Sequence, residues 1–493
     1  MNQSVKETWF VAEPIPQNTP FMMSVATQFM VQEWPKRGLG SHVKKYFTLF
    51  EKDTGKMCYV RPEFVAEAEF LSGKMLQNPT QALKTIAQIE QWSRSFFKEA
   101  KKFRKLPFAK LTNKQMLAAW QKPFKWHRLS HGVGASIAWH ADEQGERVSK
   151  GISIQLENQI RTFNLSLDLA AVFSTLSTPN KQSAVKREGK DLLKLALSKG
   201  GYSALRAHAK KYEWLHYQYQ GPALSLTYFA DRIRAITLAK TNSKVLLELI
   251  RKKDNAVKKE KVILFKQLRL SAYQKQLIVM AQGLVYIKDF RKEALYHGMY
   301  CYEPFFREIG KRFGLSLDQV HALSYWEIIA TLKKSRLAVS VDELNGRLTF
   351  GIAFITPKVY QWYVGKEAKD FLKTVTFEKV KKPTSNTFFG TCAYPGIVRG
   401  RVKIINIPQE LAKMEKGDIL VAHNTNPNLV PAMKKAAALL SGAGGLTCHT
   451  AIVARELQIP SVVGIPGIDT YLKDGDRIEV DATKGAVTIL SSN

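Results

Sequence analysis

The residues best suited to chemistry in this 493-residue chain lie between Leu440 and Pro460, LSGAGGLTCHTAIVARELQIP. The apolar run Ala437–Leu440 predicts a buried strand, and Ser441 to Gly445 a loop able to expose successive backbone N–H groups. Thr450–Leu457 predicts a helix with Ile452 and Val453 inward and Arg455 and Glu456 outward, stopped by Pro460 before a further strand at Ser461–Gly464. His449 therefore falls at the first turn of a helix just after a glycine-rich loop, where unsatisfied N–H groups and the helix dipole favour an anion. A neutral imidazole nitrogen is a competent nucleophile toward phosphorus, and a phosphoryl group on it would lie where those donors point. Thr447 adds a hydroxyl, and Arg455 a charge if its side chain turns back to the loop. Cys448 reads as a small packing residue rather than a redox centre. His423 and Thr425, following the strand at Asp418–Val421, are further candidates near the site. These residue types alone fit a helix-capping histidine with no chemical role equally well.

Around this segment the chain divides by texture. Residues 388–493 carry short apolar runs bounded by glycines, among them GDILVA, AAALLSGAGG, PSVVGI and RIEV. They predict short strands alternating with one or two helices in a compact α/β domain. Ahead of it KVKKPTSNT (Lys379–Thr387) is polar and basic with Pro383 inside it, and reads as a linker. Residues 76–378 read as helical. Over Ala82–Phe103 the residues Leu83, Ile86, Ile89, Trp92, Phe96 and Phe97 recur mostly at three- and four-residue steps, and further helices are expected at Ser183–Ser198, Ala223–Ala239, Lys244–Ile250, Lys261–Leu284 and Glu293–Phe313. Residues 1–75 form an irregular, partly β lead-in, where Tyr46–Val60 predicts two strands about a turn. The fold class expected is multidomain: a mostly α N-terminal region with a small β lead-in, then a C-terminal α/β domain.

The formal charge is +32. From residue 381 onward there are 13 Lys and Arg against 9 Asp and Glu, so 61 against 33 fall in the front of the molecule. A basic surface attracts nucleic acid, anionic membranes or phosphorylated ligands, but here the charge is spread out. Its densest run, Arg251 to Lys261, is broken by Asp254 and Glu260. No run of apolar residues is long enough to span a bilayer, and the N-terminus lacks a signal layout. The four cysteines have neither metal-ligand nor disulfide-framework spacing. A cytoplasmic protein is expected, with no membrane partner and no metal of its own. His127, His131 and His140 make the closest approach to a histidine grouping.

The segment around His449 resembles the swivelling phosphohistidine domain of the PEP-utilising enzymes, which include phosphoenolpyruvate synthase, pyruvate phosphate dikinase and rifampin phosphotransferase. Their signature is a Gly-Gly pair, one residue, Thr, Ser or Cys, the phosphorylated His, Ala-Ala-Ile and Ala-Arg-Glu-Leu-x-Ile-Pro. It reads here as Gly444, Gly445, Leu446, Thr447, Cys448, His449, Thr450-Ala451-Ile452 and Ala454 to Pro460. The likeness continues on both sides, through GTCAYPGIVRGR (Gly390 to Arg401), GDILVAHNTNP (Gly417 to Pro427) and Lys473 to Val487. Asn428 stands where the family often has Asp, and Thr450 where it usually has Ala. The resemblance implies that His449 accepts a phosphoryl group, with Gly444, Gly445, Thr447, Cys448 and Arg455 supporting it.

Family enzymes load that histidine from an ATP-grasp domain and unload it at an acceptor domain. Residues 1–380 show no ATP-grasp signature, and the closing hairpin finishes at Leu490 with no enolpyruvate-binding barrel expected after it. Residues 1–375 resemble instead the helical acceptor-binding region of rifampin phosphotransferase-like proteins, through Asn18-Thr19-Pro20-Phe21 and Phe305 to Leu332. The expectation is a phosphotransferase subunit with a swivelling domain. It would be loaded with Mg2+ and ATP by a separate ATP-grasp-type kinase subunit, as two-subunit phenylphosphate synthases split these parts, and would serve an acceptor, expected to be a small molecule, held by the helical domain. A regulatory phosphocarrier, or a basic nucleic-acid-binding protein with a degenerate carrier, are the alternatives. With most of the charge in one region, a small or polar interface between carrier and helical region is expected.

Overall fold

The computed structural model describes residues 7–491 apart from 36–38, 41, 52–53, 136–146, 199, 239–241, 379–384, 426–428 and 447. Most of the linker expected at Lys379–Thr387, together with Thr447, Asn428 and His140, lies outside the described residues. The chain is multidomain, with a mainly helical N-terminal body that includes one sheet and a C-terminal α/β domain. No helix among the described residues is long and apolar enough to cross a membrane.

The lead-in hairpin forms as its pattern predicts: β2 (Tyr46–Glu51) pairs antiparallel with β3 (Thr54–Val60), Glu51 opposite Thr54. The sheet does not end there. Its order is β5-β4-β2-β3-β1-β6, where β1 is Thr8–Pro16, β4 is Phe350–Ile355, β5 is Tyr360–Val364 and β6 is Thr376–Phe377. Three strands therefore come from the stretch expected to be helical, and residues 1–75 are joined to residues 350–377 in one sheet. FGIAFI and YQWYV are rich in the β-branched and aromatic residues that suit strands, but each is short and flanked by helices, which hides the period.

Helices fill the rest of this body. The helix Pro79–Phe103 starts on Asn78, whose side chain accepts from the Gln81 N–H at 3.0 Å, and buries Ile86, Ile89 and Phe96. Two boundaries differ from expectation. One helix runs unbroken from Ser243 to Gln267, through the charged run that reads as a gap. A second runs from Ala272 to Phe313, 42 residues, and includes 285–292. The break falls between them because Arg269 takes a positive φ and Ser271 opens the long helix with a capping box to Gln274.

The C-terminal sheet has the order β7-β14-β13-β9-β10-β11-β12-β8. Its centre is parallel: β9 (Ile397–Ile404), β10 (Ile419–Ala422), β11 (Ala438–Ser441) and β12 (Ser461–Val463). β8 (Thr391–Tyr394) closes one edge antiparallel to β12, while β13 (Arg477–Asp481), β14 (Ala486–Ser491) and β7 (Thr387–Phe389) extend the other. β10 and β11 are buried at every residue, as continuous apolar runs in a parallel sheet must be.

This domain is seated on the helical body. Ala393, Leu446, Ala451 and Val463 share one buried cluster with Ile86, Ile89, Val172, Leu176, Leu277, Ala281 and Leu284, and Cys448 packs against it. The contact is apolar at its centre, contrary to the small or polar interface expected from the charge split. Net charge describes a whole surface, whereas a docking patch depends on the few side chains that meet.

Candidate functional site

His449 is the first residue of the nine-residue helix His449–Leu457, between β11 and β12. The loop that delivers it leaves the C-terminal end of β11, and the loop carrying His423 and Thr425 leaves that of β10. Both arrive where open α/β sheets place their ligands. Cys448 caps the helix, its sulfur accepting from the Ala451 N–H at 3.4 Å, and its own N–H bonds to the Gly445 carbonyl at 2.9 Å. Gly444 has φ +92°, and a Cβ there would stand 2.6 Å from the Cβ of Cys448, so the sharp approach to the helix needs glycine. Two loop N–H groups are spent internally: Gly442 donates to the Ala422 carbonyl and Ala443 to that of His423. The loop therefore presents fewer donors than its glycines suggest.

The half-buried His449 ring is held on one side. Thr425 Oγ1 lies 2.8 Å from His449 Nδ1 and 2.9 Å from Thr450 Oγ1. With Nδ1 engaged, Nε2 is the nitrogen left for chemistry. Burial, with the Lys292 charge added to it, pushes the imidazole down to about 3, so it is neutral at any physiological pH. Burial likewise raises the Cys448 thiol, in keeping with a packing role.

Arg455 does turn back to the loop, but toward carbonyls: it donates to Leu446 O and, at 3.2 Å, to Ala393 O, tying the loop to β8. His423 lies apart from that bond, its Nδ1 3.5 Å from an Asp469 oxygen and its backbone N–H bonded to Asn406. His127 is a buried core ring and His131, half-buried, bonds Arg291; the two rings are 6.1 Å apart. Among the described residues no three His, Cys, Asp or Glu side chains are grouped to hold a metal ion.

The residues that sequence reasoning missed are on the long helix. Lys292 acts electrostatically on His449, and Lys288, one turn earlier, acts on Cys448. Between them Asp289 is pushed up to about 6 by burial, with Lys292 opposing the rise and Glu456 of the docked domain adding to it. The i, i+4 spacing of two lysines is their only mark in the sequence.

A family model described as "PEP-utilising enzyme, mobile domain" matches residues 414–485. A probable phosphoenolpyruvate synthase of Archaeoglobus fulgidus is 52% identical over 98 residues, 20% of this chain and 13% of that protein. Its counterpart in Pyrococcus abyssi is 47% identical over 118 residues, 24% of this chain and 14% of that protein. An uncharacterized phosphotransferase of Bacillus subtilis, YvkC, is 35% identical over 147 residues, 27% of this chain and 18% of its own length. The chain thus spans less than a fifth of each of these relatives. Over its C-terminal domain this chain matches the mobile domain of the PEP-utilising enzymes, as the sequence around His449 implies.

Proposed function

We propose that the chain is a phosphotransferase subunit that carries a phosphoryl group on Nε2 of His449. A separate ATP-grasp-type kinase subunit, holding ATP and Mg2+, loads it, and the acceptor, a small molecule, is held by the helical body. In loading, the Nε2 lone pair forms a P–N bond as the donor's bond from phosphorus to its leaving oxygen breaks. In delivery, an acceptor hydroxyl oxygen forms the new P–O bond, the P–N electron pair returns to the ring, and the hydroxyl proton passes to water. The observation that carries the reading is the docked position of His449: neutral, tethered through Nδ1, and within electrostatic reach of Lys292 of the helical body. A cation there offsets the charge of a phosphoryl group in transfer, the main service a protein gives such chemistry. The relatives named phosphoenolpyruvate synthase and phosphotransferase support the same class of reaction.

In this arrangement His449 faces the helical body, so the docked state is the delivery position and loading requires the domain to leave it. Intact-mass analysis of the protein purified from its own host tests the reading. An acid-labile phosphoryl adduct is expected, lost in His449→Ala while the fold is kept. An unmodified wild-type protein, or a variant that keeps the adduct, would overturn it.

A further inference from the structure

Thr450 stands at the second position of the His449 helix, where the resemblance sets an alanine, and it is completely buried. A hydroxyl placed in the interior requires a partner; this one lies 2.9 Å from Thr425 Oγ1, and its hydroxyl acts to lower the thiol pKa of Cys448, two residues earlier in the chain, as a donor to that sulfur would. Thr425, also buried, has one proton to give and two neighbours able to take it.

If that proton goes to His449 Nδ1, the ring's own hydrogen must sit on Nε2, and Nε2 has no lone pair. If it goes to Thr450, Thr425 is left as the acceptor of an Nδ1–H, and Nε2 is bare. We infer that Thr450 is a positioning residue: by accepting from Thr425 and donating to Cys448 it directs the relay His449 Nδ1–H to Thr425 to Thr450 to Cys448, and so fixes the tautomer in which Nε2 is the nucleophile. The inference rests on the reading of His449 as phosphoryl acceptor for its meaning, though not for its geometry. In a neutral imidazole the tautomer is set by the bond the other nitrogen makes.

The test uses the full chain with 15N-labelled histidine, the two-bond correlations of the His449 ring being assigned by their loss in His449→Gln. The wild type is expected to carry its proton on Nδ1. Thr450→Val, which keeps the shape and removes the hydroxyl, is expected to move the proton toward Nε2, and Thr450→Ser to restore the wild-type pattern. Thr450→Ala makes the same deletion should valine disturb the fold. Labelling of His449 by phosphoramidate, a small P–N donor, is expected to slow in the valine variant by on the order of tenfold or more, as a wrong tautomer disables a catalytic histidine, and to recover in the serine variant. A wild-type ring protonated on Nε2, or a tautomer indifferent to both deletions, overturns the inference. A ring with the expected tautomers that never takes a phosphoryl group overturns the carrier reading and leaves the positioning role standing.

Discussion

Lys186 of the helical body and Glu456 on the last turn of the His449 helix form an ion pair that bridges the two domains. Both side chains are partly exposed, so the pair contributes at most about 1 kcal/mol. Burial of Leu446 in the shared cluster is worth more, roughly 1.5–3 kcal/mol. The apolar patch therefore holds the seat and the ion pair sets its register. Glu456→Gln is expected to leave the docked state dominant, whereas Leu446→Ala shifts the chain toward an open form. Small-angle scattering reads this as a larger radius of gyration, and faster thiol modification of Cys392 and Cys448 should accompany it.

Lys292→Met is expected to slow phosphoryl delivery by about 100-fold, the usual cost of removing one group that stabilises transition-state charge. It also tests position directly. Burial holds the His449 pKa down and the Lys292 charge adds to it, so removing that charge must raise the value in part, as followed by NMR titration. An unchanged titration would place Lys292 away from the ring.

Docking is expected to respond to pH in two opposed ways. The Asp289 carboxyl is raised to about 6 in the docked state, so the docked form holds the extra proton and loses stability as pH rises through that value. His449 is lowered to about 3, so the open form takes up the proton first and docking weakens as pH falls below the ordinary histidine value. Single variants separate the two. Asp289→Asn leaves a chain that opens on acidification, and His449→Gln one that opens as pH rises through about 6, both followed by scattering.

Trypsin is expected to cut first after Lys379 or Lys381, in the polar stretch between the domains, releasing a C-terminal piece of roughly 110 residues, a usual size for an independent domain. Because the interface is apolar, the cut fragments should stay together on gel filtration and separate in Leu446→Asp. Resistance at that stretch with cleavage elsewhere would argue against a hinge there.

The core of the site was legible because its punctuation is local. Gly444 and Gly445, the small Cys448 cap and Pro460 bound one loop and one helix within twenty residues, and His449 lies at their junction. The bond from Thr425 was harder to foresee, since it joins the ends of two different strands. Lys288 and Lys292 left no mark in the sequence beyond their i, i+4 spacing. The stretch 285–292 interrupts the apolar pattern with charges and reads as a gap, yet it lies inside the long helix: Lys288 and Lys292 act on the docked domain, while Arg291 bonds His131 of the helical body. The hairpin of Phe350–Ile355 and Tyr360–Val364 escaped for a related reason, as it joins the sheet through β4, whose other partner β2 is about 300 residues away in the chain.

The last strand of the N-terminal sheet, Thr376–Phe377, has a mechanical consequence. It is two residues long, pairs parallel with Thr8 and Trp9, and is followed by a bond from the Glu378 N–H to the Trp9 carbonyl and an ion pair from Glu378 to Arg61. Among the described residues this clasp is the last of the N-terminal sheet. Pulled from the C-terminal side it unzips one residue at a time from an exposed sheet edge, and three residues released in extended form lengthen the leash by about 10 Å. In the proposed swivelling cycle, the reach of the domain would grow by a clip that opens under load while the sheet behind it stays closed.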